Sequence, residues 1–240
     1  MLLKELTEAV LIKRYKRFLA DVEMPDGQVI TVHCPNPGSM IGINTPGLKV
    51  LLALSPNPKR KLPWTLQFVE TRGSLVLVES VLANKLFLEA FNASLLEALK
   101  DFSQARGEHS FKDSRLDFLL SGASGHCLVE IKSTTYLDQG VALFPDAQTE
   151  RGRKHLATLG QGLNDGFRAV QFYVVARSDA ELFKPAESID RAYAQALRSA
   201  HAKGVEVMAY GLTFKPIARA EAHKIDLEVF VDKAVAIDLS

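Results

Sequence analysis

The hydrophobic rhythm of this 240-residue chain changes once, near Glu79, and that change narrows the folds open to it. Upstream, short apolar–polar alternations are cut by turn signals. Residues 10–23 and 28–33 read as β-structure on either side of Met24-Pro25-Asp26-Gly27, where Pro presets φ and Gly supplies φ > 0. The stretch Cys34-Pro35-Asn36-Pro37-Gly38-Ser39-Met40 is too rich in Pro and Gly for a helix or a central strand. Residues 49–53, 65–71 and 74–79 supply three further strands. Five short strands without a convincing helix predict a small β-unit over residues 1–80, and a five-stranded OB-like barrel is the closest architecture.

Downstream, Leu82, Leu86, Phe87, Phe91, Leu95, Leu96 and Leu99 recur at helical spacing, which predicts one or two helices over residues 80–100. Strands follow at 115–120 and 127–132, a helix at 150–162, a continuous buried strand at 169–176, a helix at 190–202 ending at Lys203-Gly204, and strands at 205–211 and 226–231. That order is an α/β layer architecture over residues 81–240. No low-complexity linker separates the halves, so the junction near residue 80 is expected to be packed.

Charge decides less. The net charge is +1, so affinity for a polyanion has to come from local patches; residues 1–80 hold 10 Lys/Arg against 7 Asp/Glu, and the remainder 19 against 21. No apolar run approaches the roughly 20 residues a bilayer requires, and no signal-peptide core precedes the first strand. Cys34 and Cys127 fit no metal-ligand spacing and read as reduced thiols, so the expected location is the cytoplasm.

The segment with the most chemistry is Ser114-Arg115-Leu116-Asp117-Phe118-Leu119-Leu120, a loop, and Cys127-Leu128-Val129-Glu130-Ile131-Lys132. A symmetric hairpin with residues 121–126 as its loop sets Asp117 opposite Glu130, on one face, with Lys132 two residues on. Two carboxylates about 5 Å apart repel by roughly 3 kcal/mol at an effective dielectric near 20 and by under about 1 kcal/mol in water. Lys132 offsets one charge; Mg²⁺ or Mn²⁺, held by the carboxylates and by phosphate oxygens, would offset the rest. The other reading is a solvated strand face whose three charges satisfy one another. A one-residue slip in register would separate the pair.

Lys13, Arg14, Tyr15, Lys16 and Arg17 interleave cations with an aromatic, a pattern suited to tracking a nucleic-acid backbone, or to a solvated strand edge with Lys13, Tyr15 and Arg17 on one side. Lys59-Arg60-Lys61, in a Pro-flanked loop, is a second candidate phosphate contact.

Several long blocks, in order, resemble the sugar fermentation stimulation protein A (SfsA) family over nearly the whole chain. They are Lys13-Arg14-Tyr15-Lys16-Arg17-Phe18-Leu19-Ala20-Asp21-Val22; His33-Cys34-Pro35-Asn36 with Gly38-Ser39-Met40; Asn57-Pro58-Lys59-Arg60-Lys61-Leu62-Pro63; Ser114-Arg115-Leu116-Asp117-Phe118; Val129-Glu130-Ile131-Lys132; and Phe144-Pro145-Asp146-Ala147 with Thr149-Glu150-Arg151-Gly152 and Lys154-His155-Leu156. The resemblance implies an N-terminal OB-like domain joined to a restriction-endonuclease-like domain of the PD-(D/E)xK type. It also implies DNA binding of low sequence specificity and a link to regulation of sugar (maltose) metabolism. Asp117, Glu130 and Lys132 then map onto the catalytic positions of that motif, with Asp117 and Glu130 as metal ligands. Glu89, on the preceding helix, is a candidate third acidic ligand, and Arg151, Lys154 and His155, on the helix after the hairpin, are candidate nucleic-acid contacts. Pro37 and Glu79-Ser80 depart from the family pattern, which has Thr and Asn-Thr there.

The function expected is therefore a DNA-binding protein with a nuclease-like metal site, the alternative being a Mg²⁺- or Mn²⁺-dependent DNA nuclease. Oligomeric state stays open between monomer and homodimer. A small-molecule sugar enzyme has no nucleotide- or sugar-binding motif to support it.

Overall fold

The computed structural model describes residues 1–71, 73–217 and 221–240. Strands β1 (Leu2–Tyr15), β2 (Leu19–Glu23), β3 (Val29–His33), β4 (Lys49–Leu54), β5 (Trp64–Thr71) and β6 (Ser74–Leu77) precede helix α1 (Val81–Asn92). After α1 come β7 (Phe102–Phe111), β8 (Ser114–Gly122), β9 (Gly125–Thr134), β10 (Tyr136–Asp138), β11 (Val141–Phe144), α2 (Glu150–Asn164), β12 (Arg168–Val175), β13 (Leu182–Pro185), α3 (Arg191–Ala202), β14 (Glu206–Ile217), β15 (Lys224–Ala234) and β16 (Ala236–Ile237). No described helix is long and apolar enough to cross a membrane.

The first half is OB-like: β1 is long enough to pair with β2 and β4 along its second part, β3 pairs with β2 and with β5, and the sheet curls around Leu11, Val22, Val32, Val50, Leu66 and Val76. The first part of β1 does something the sequence does not announce. It pairs antiparallel with β15, Leu2 opposite Glu228, so one 12-stranded sheet runs through the molecule. Leu6, Leu51, Phe68 and Leu77 share a hydrophobic core with Phe87 of α1 and with Val129, Phe172 and Val229.

In the second half β9, β12 and β14 run parallel, flanked by antiparallel β8 and β15. β12 is buried on both faces and is apolar from Ala169 to Val175 apart from the buried Gln171: Val170, Phe172 and Val174 join the core with α1, while Ala169, Tyr173 and Val175 join the core beneath α2 and α3. Asp190 ties the two helix starts together by capping Tyr193 N–H and accepting from Thr149 N–H and Arg153.

Two expectations need correction. Residues 10–23 are not one run: the chain reverses at Lys16 and Arg17, both at positive φ (46° and 64°). The turn is pinned by Arg14 Nη2 donating to Arg17 O and by Phe18 N–H donating to Lys16 O, so residues 13–18 do not alternate across a strand. The carboxylate hairpin has a two-residue turn, Ala123-Ser124, rather than a six-residue loop, because pairing continues to Gly122–Gly125. Its register is unchanged by the shorter turn: Leu120 faces Cys127 and Phe118 faces Val129.

Candidate metal and nucleic-acid site

Extending that register by one sets Asp117 against Glu130, and here the strands part. The paired ladder stops at Phe118–Val129, and the Ile131 N–H is taken instead by Asp117 Oδ2 at 2.7 Å. Asn84 on α1 donates to Asp117 Oδ1 at 2.7 Å. One face of β9 sends Val129 and Ile131 into the α1 core, and the opposite face turns Leu128 and Glu130 toward α2. The carboxylate therefore sits where α1, β8, β9 and α2 meet.

Glu130 is 2% exposed. Its Oε1 receives Lys132 Nζ at 2.5 Å and His155 Nδ1, while its Oε2 is buried with no hydrogen-bond partner. Arg151 Nε donates to His155 Nε2 at 3.3 Å. Because a guanidinium only donates, Nε2 carries the lone pair, and the ring proton sits on Nδ1 and is given to Glu130. A chain of donors, Arg151 to His155 to Glu130, thus holds one carboxylate oxygen and leaves the other available.

Burial, followed by the negative charge of Glu130, holds the Asp117 carboxyl above its ordinary value; its two hydrogen bonds and Lys132 oppose the shift without cancelling it. Burial also pushes Glu130 upward, but the His155 hydrogen bond and the Lys132 charge outweigh it, and its pKa is lowered. The pair together carries more negative charge than Lys132 neutralises. Two carboxylates, one with an unpartnered buried oxygen, fit a hard divalent cation that completes its shell with water and phosphate oxygens. Among the described residues no three His, Cys, Asp or Glu form a closed metal cage.

These groups line a cavity of about 620 Å³ to which both halves contribute. Arg17, Asn36, Pro37 and Gly38 come from the first half; the start of α1, the segment 143–149 and Arg151 come from the second. Asp146 fastens the two sides: its Oδ2 accepts the Met40 N–H at 2.8 Å, and a Cβ on Gly38 would collide with the same carboxylate.

The structure brings together Asp117, Glu130, Lys132, Arg17, Arg151 and His155. His155, 4% exposed with both ring nitrogens engaged, holds Glu130 and is not placed to touch a strand from outside. Glu89 does not join the pair; its carboxylate meets the Met1 amine at 2.7 Å. Arg14 spends its guanidinium on the carbonyls of Arg17, Asn36 and Gly38, and Tyr15 Oη donates to Asp21. Lys13 lies beside Asp21 at 3.4 Å, and Lys16 is exposed at the turn. Arg60 folds onto Thr65 and His33, leaving Lys59 and Lys61 exposed away from the cavity, and Lys154 donates to Asp113 O. Sequence reasoning missed Asn84 and Asp146. The second lay inside a quoted block without a role.

Comparison with known proteins matches two family models, one in each half of the chain. The family described as "SfsA N-terminal OB domain" matches residues 12–78, and "Sugar fermentation stimulation protein RE domain" matches residues 81–218. A sugar fermentation stimulation protein homolog of Maricaulis maris is 47% identical over 89% of this chain and 92% of its own length. One from Magnetococcus marinus is 47% identical over 85% and 89%. The structure of Pyrococcus furiosus SfsA in complex with Ca²⁺ superimposes with a TM-score of 0.87 at 24% identity, covering 99% of this chain and 98% of that one.

Proposed function

The chain belongs to the sugar fermentation stimulation protein (SfsA) family, and from that premise we propose that it is a cytoplasmic DNA-binding protein of low sequence specificity whose cavity is a divalent-metal site for phosphodiester hydrolysis. The observation that carries this is Glu130 Oε2, a buried carboxylate oxygen with no partner, beside an Asp117 whose charge is only partly compensated. Asp117 and Glu130 would hold Mg²⁺ or Mn²⁺. When bound, such an ion supplies positive charge to a phosphate and makes bound water a better nucleophile. The Ca²⁺ in the Pyrococcus furiosus complex is of the same hard, oxygen-seeking class.

The chain's own residues do the rest. Lys132 and His155 fix Glu130 through Oε1, so that its geometry is set before any ligand arrives. The Lys132 ammonium also stands ready for the charge that builds on a phosphate oxygen. Arg17 and Arg151, which both line the cavity and come from different halves of the chain, give a strand two cations to bridge. Regulation of sugar (maltose) metabolism would then act through DNA contact.

Digestion of linear, nicked and single-stranded DNA in MgCl₂ or MnCl₂, by wild type and by Glu130→Ala, tests this reading. Cleavage lost in the variant supports it, whereas equal cleavage by both sinks it. A second reading, a regulator that binds DNA without cutting, is favoured by the Lys132–Glu130 ion pair, which keeps the lysine occupied. It predicts retention on DNA that weakens steeply with salt, and no products under any metal.

A further inference from the structure

The cavity's depth bears on which DNA structures can reach its carboxylates. Glu130's side chain is 3% exposed and Lys132's 16%, so the groups assigned to the scissile phosphate lie well inside the surface. A phosphate of an intact duplex is tied to a base that stays in the stack, and the whole helix would have to follow it inward. At about 620 Å³, the cavity falls within the roughly 300–1,000 Å³ typical of sites for ligands of nucleotide size. Its lining combines apolar faces from Pro37, Val81 and Phe144 with the amide of Gln148. It also includes Ser133, whose buried hydroxyl has no hydrogen-bond partner. Apolar faces with a few unspent polar groups are what a base requires once it leaves the helix.

A second observation lies at the β1–β2 turn. Phe18 is 41% exposed, an aromatic ring on the surface, and the Arg17 guanidinium lies 5.4 Å from its centroid. Arg17 itself lines the cavity. Phe18 does not itself line the cavity, but its ring lies against Arg17, which does, and the two together offer a stacking platform for the next base of a strand entering it.

We propose that the cavity takes a single unpaired nucleotide of a DNA strand, stacked at its entrance on Phe18 and Arg17, so that the substrate is DNA with an unpaired or displaced base rather than continuous duplex. This rests on the nuclease reading above for its chemistry, but not for its binding preference.

The probe is a duplex with 2-aminopurine opposite an abasic site, compared with the same duplex carrying 2-aminopurine opposite thymine. Binding is read by anisotropy and base extrusion by 2-aminopurine emission, with the full-length protein in CaCl₂; cleavage is then read in MnCl₂. The unpaired probe is expected to bind at least about tenfold tighter, with emission rising on binding, and Phe18→Ala to lose about tenfold of that preference. Phe18→Tyr should keep it, and Ala147→Trp, which fills the cavity, should abolish it. Equal binding and equal cleavage of both probes would overturn the inference and leave the nuclease reading standing. Preference for the unpaired probe without cleavage would remove the nuclease reading and leave the inference. Neither preference nor cleavage removes both.

Discussion

At the scale of single residues, the site turns on how Glu130 is held. Replacing His155 by Ala removes the Nδ1 donor and strands Arg151, and the expected cost is roughly 10–100-fold in Mn²⁺ affinity by calorimetric titration. His155→Asn, whose amide can stand near Nδ1, should recover part of the loss, which a merely space-filling role would not. Glu130→Ala leaves the Lys132 ammonium and the His155 N–H without an acceptor and should cost about 3 kcal/mol in chemical denaturation at neutral pH. Glu130's folded pKa is lowered, so the stability it supplies is present above its ordinary value of 4.5 and is lost as pH falls through the folded value. The gap between wild type and Glu130→Ala should therefore narrow on acidification below pH 4.5. Asp117 runs the other way. Its folded pKa is raised above 3.8, so it withdraws stability as pH rises from there, and a bound divalent cation should return that stability as a higher melting temperature. Asp117, Glu130 and Lys132 were legible in the sequence because hairpin pairing is local arithmetic. Asn84 and His155 were not legible as holders of the carboxylates, since their contacts depend on two helices arriving from opposite faces of the sheet.

Among elements, those with strong periodicity were readable and those without it were not. α2 and α3 carry their caps in the sequence, Thr149 and Asp190, and β12 its apolar run, interrupted only by Gln171. β7 was unseen: its residues, Phe102-Ser103-Gln104-Ala105-Arg106-Gly107-Glu108-His109-Ser110-Phe111, are mostly polar because it forms an edge of the large sheet and buries little. The reversal at Lys16-Arg17 has no Gly, Pro or Asn to announce it; side-chain bonds from Arg14 and Arg17 to nearby carbonyls stabilise it instead. The loop 34–40 and the segment 143–149 approach so closely that a Cβ on Gly38 would run into the Asp146 carboxylate. Gly38→Ala should displace Asp146 from the Met40 N–H and lower stability by about 1–3 kcal/mol. The displacement should be visible as faster amide exchange at Met40 while β12 stays protected.

For the molecule as a whole, the shared core and the continuous sheet make the two halves one cooperative object. Calorimetry should give a single transition whose van't Hoff and calorimetric enthalpies agree, rather than separate melting of residues 1–80 and 81–240. Two resolved transitions would contradict the packed junction. The OB-like and restriction-endonuclease-like characters of the halves were legible from pattern and resemblance. Their joining through β1 and β15 was not, because no local signal marks a partner more than 200 residues away.

That pairing has a consequence for the order of events as the chain leaves the ribosome. Leu2 is matched with Glu228, and at roughly 5–20 residues per second the partner strand follows on the order of ten seconds or more later. Throughout that interval the front of β1 offers open backbone donors and acceptors, a template for neighbouring nascent chains. The newborn protein is thus most vulnerable to misassembly at the strand that, once matched, closes the gap between its two halves.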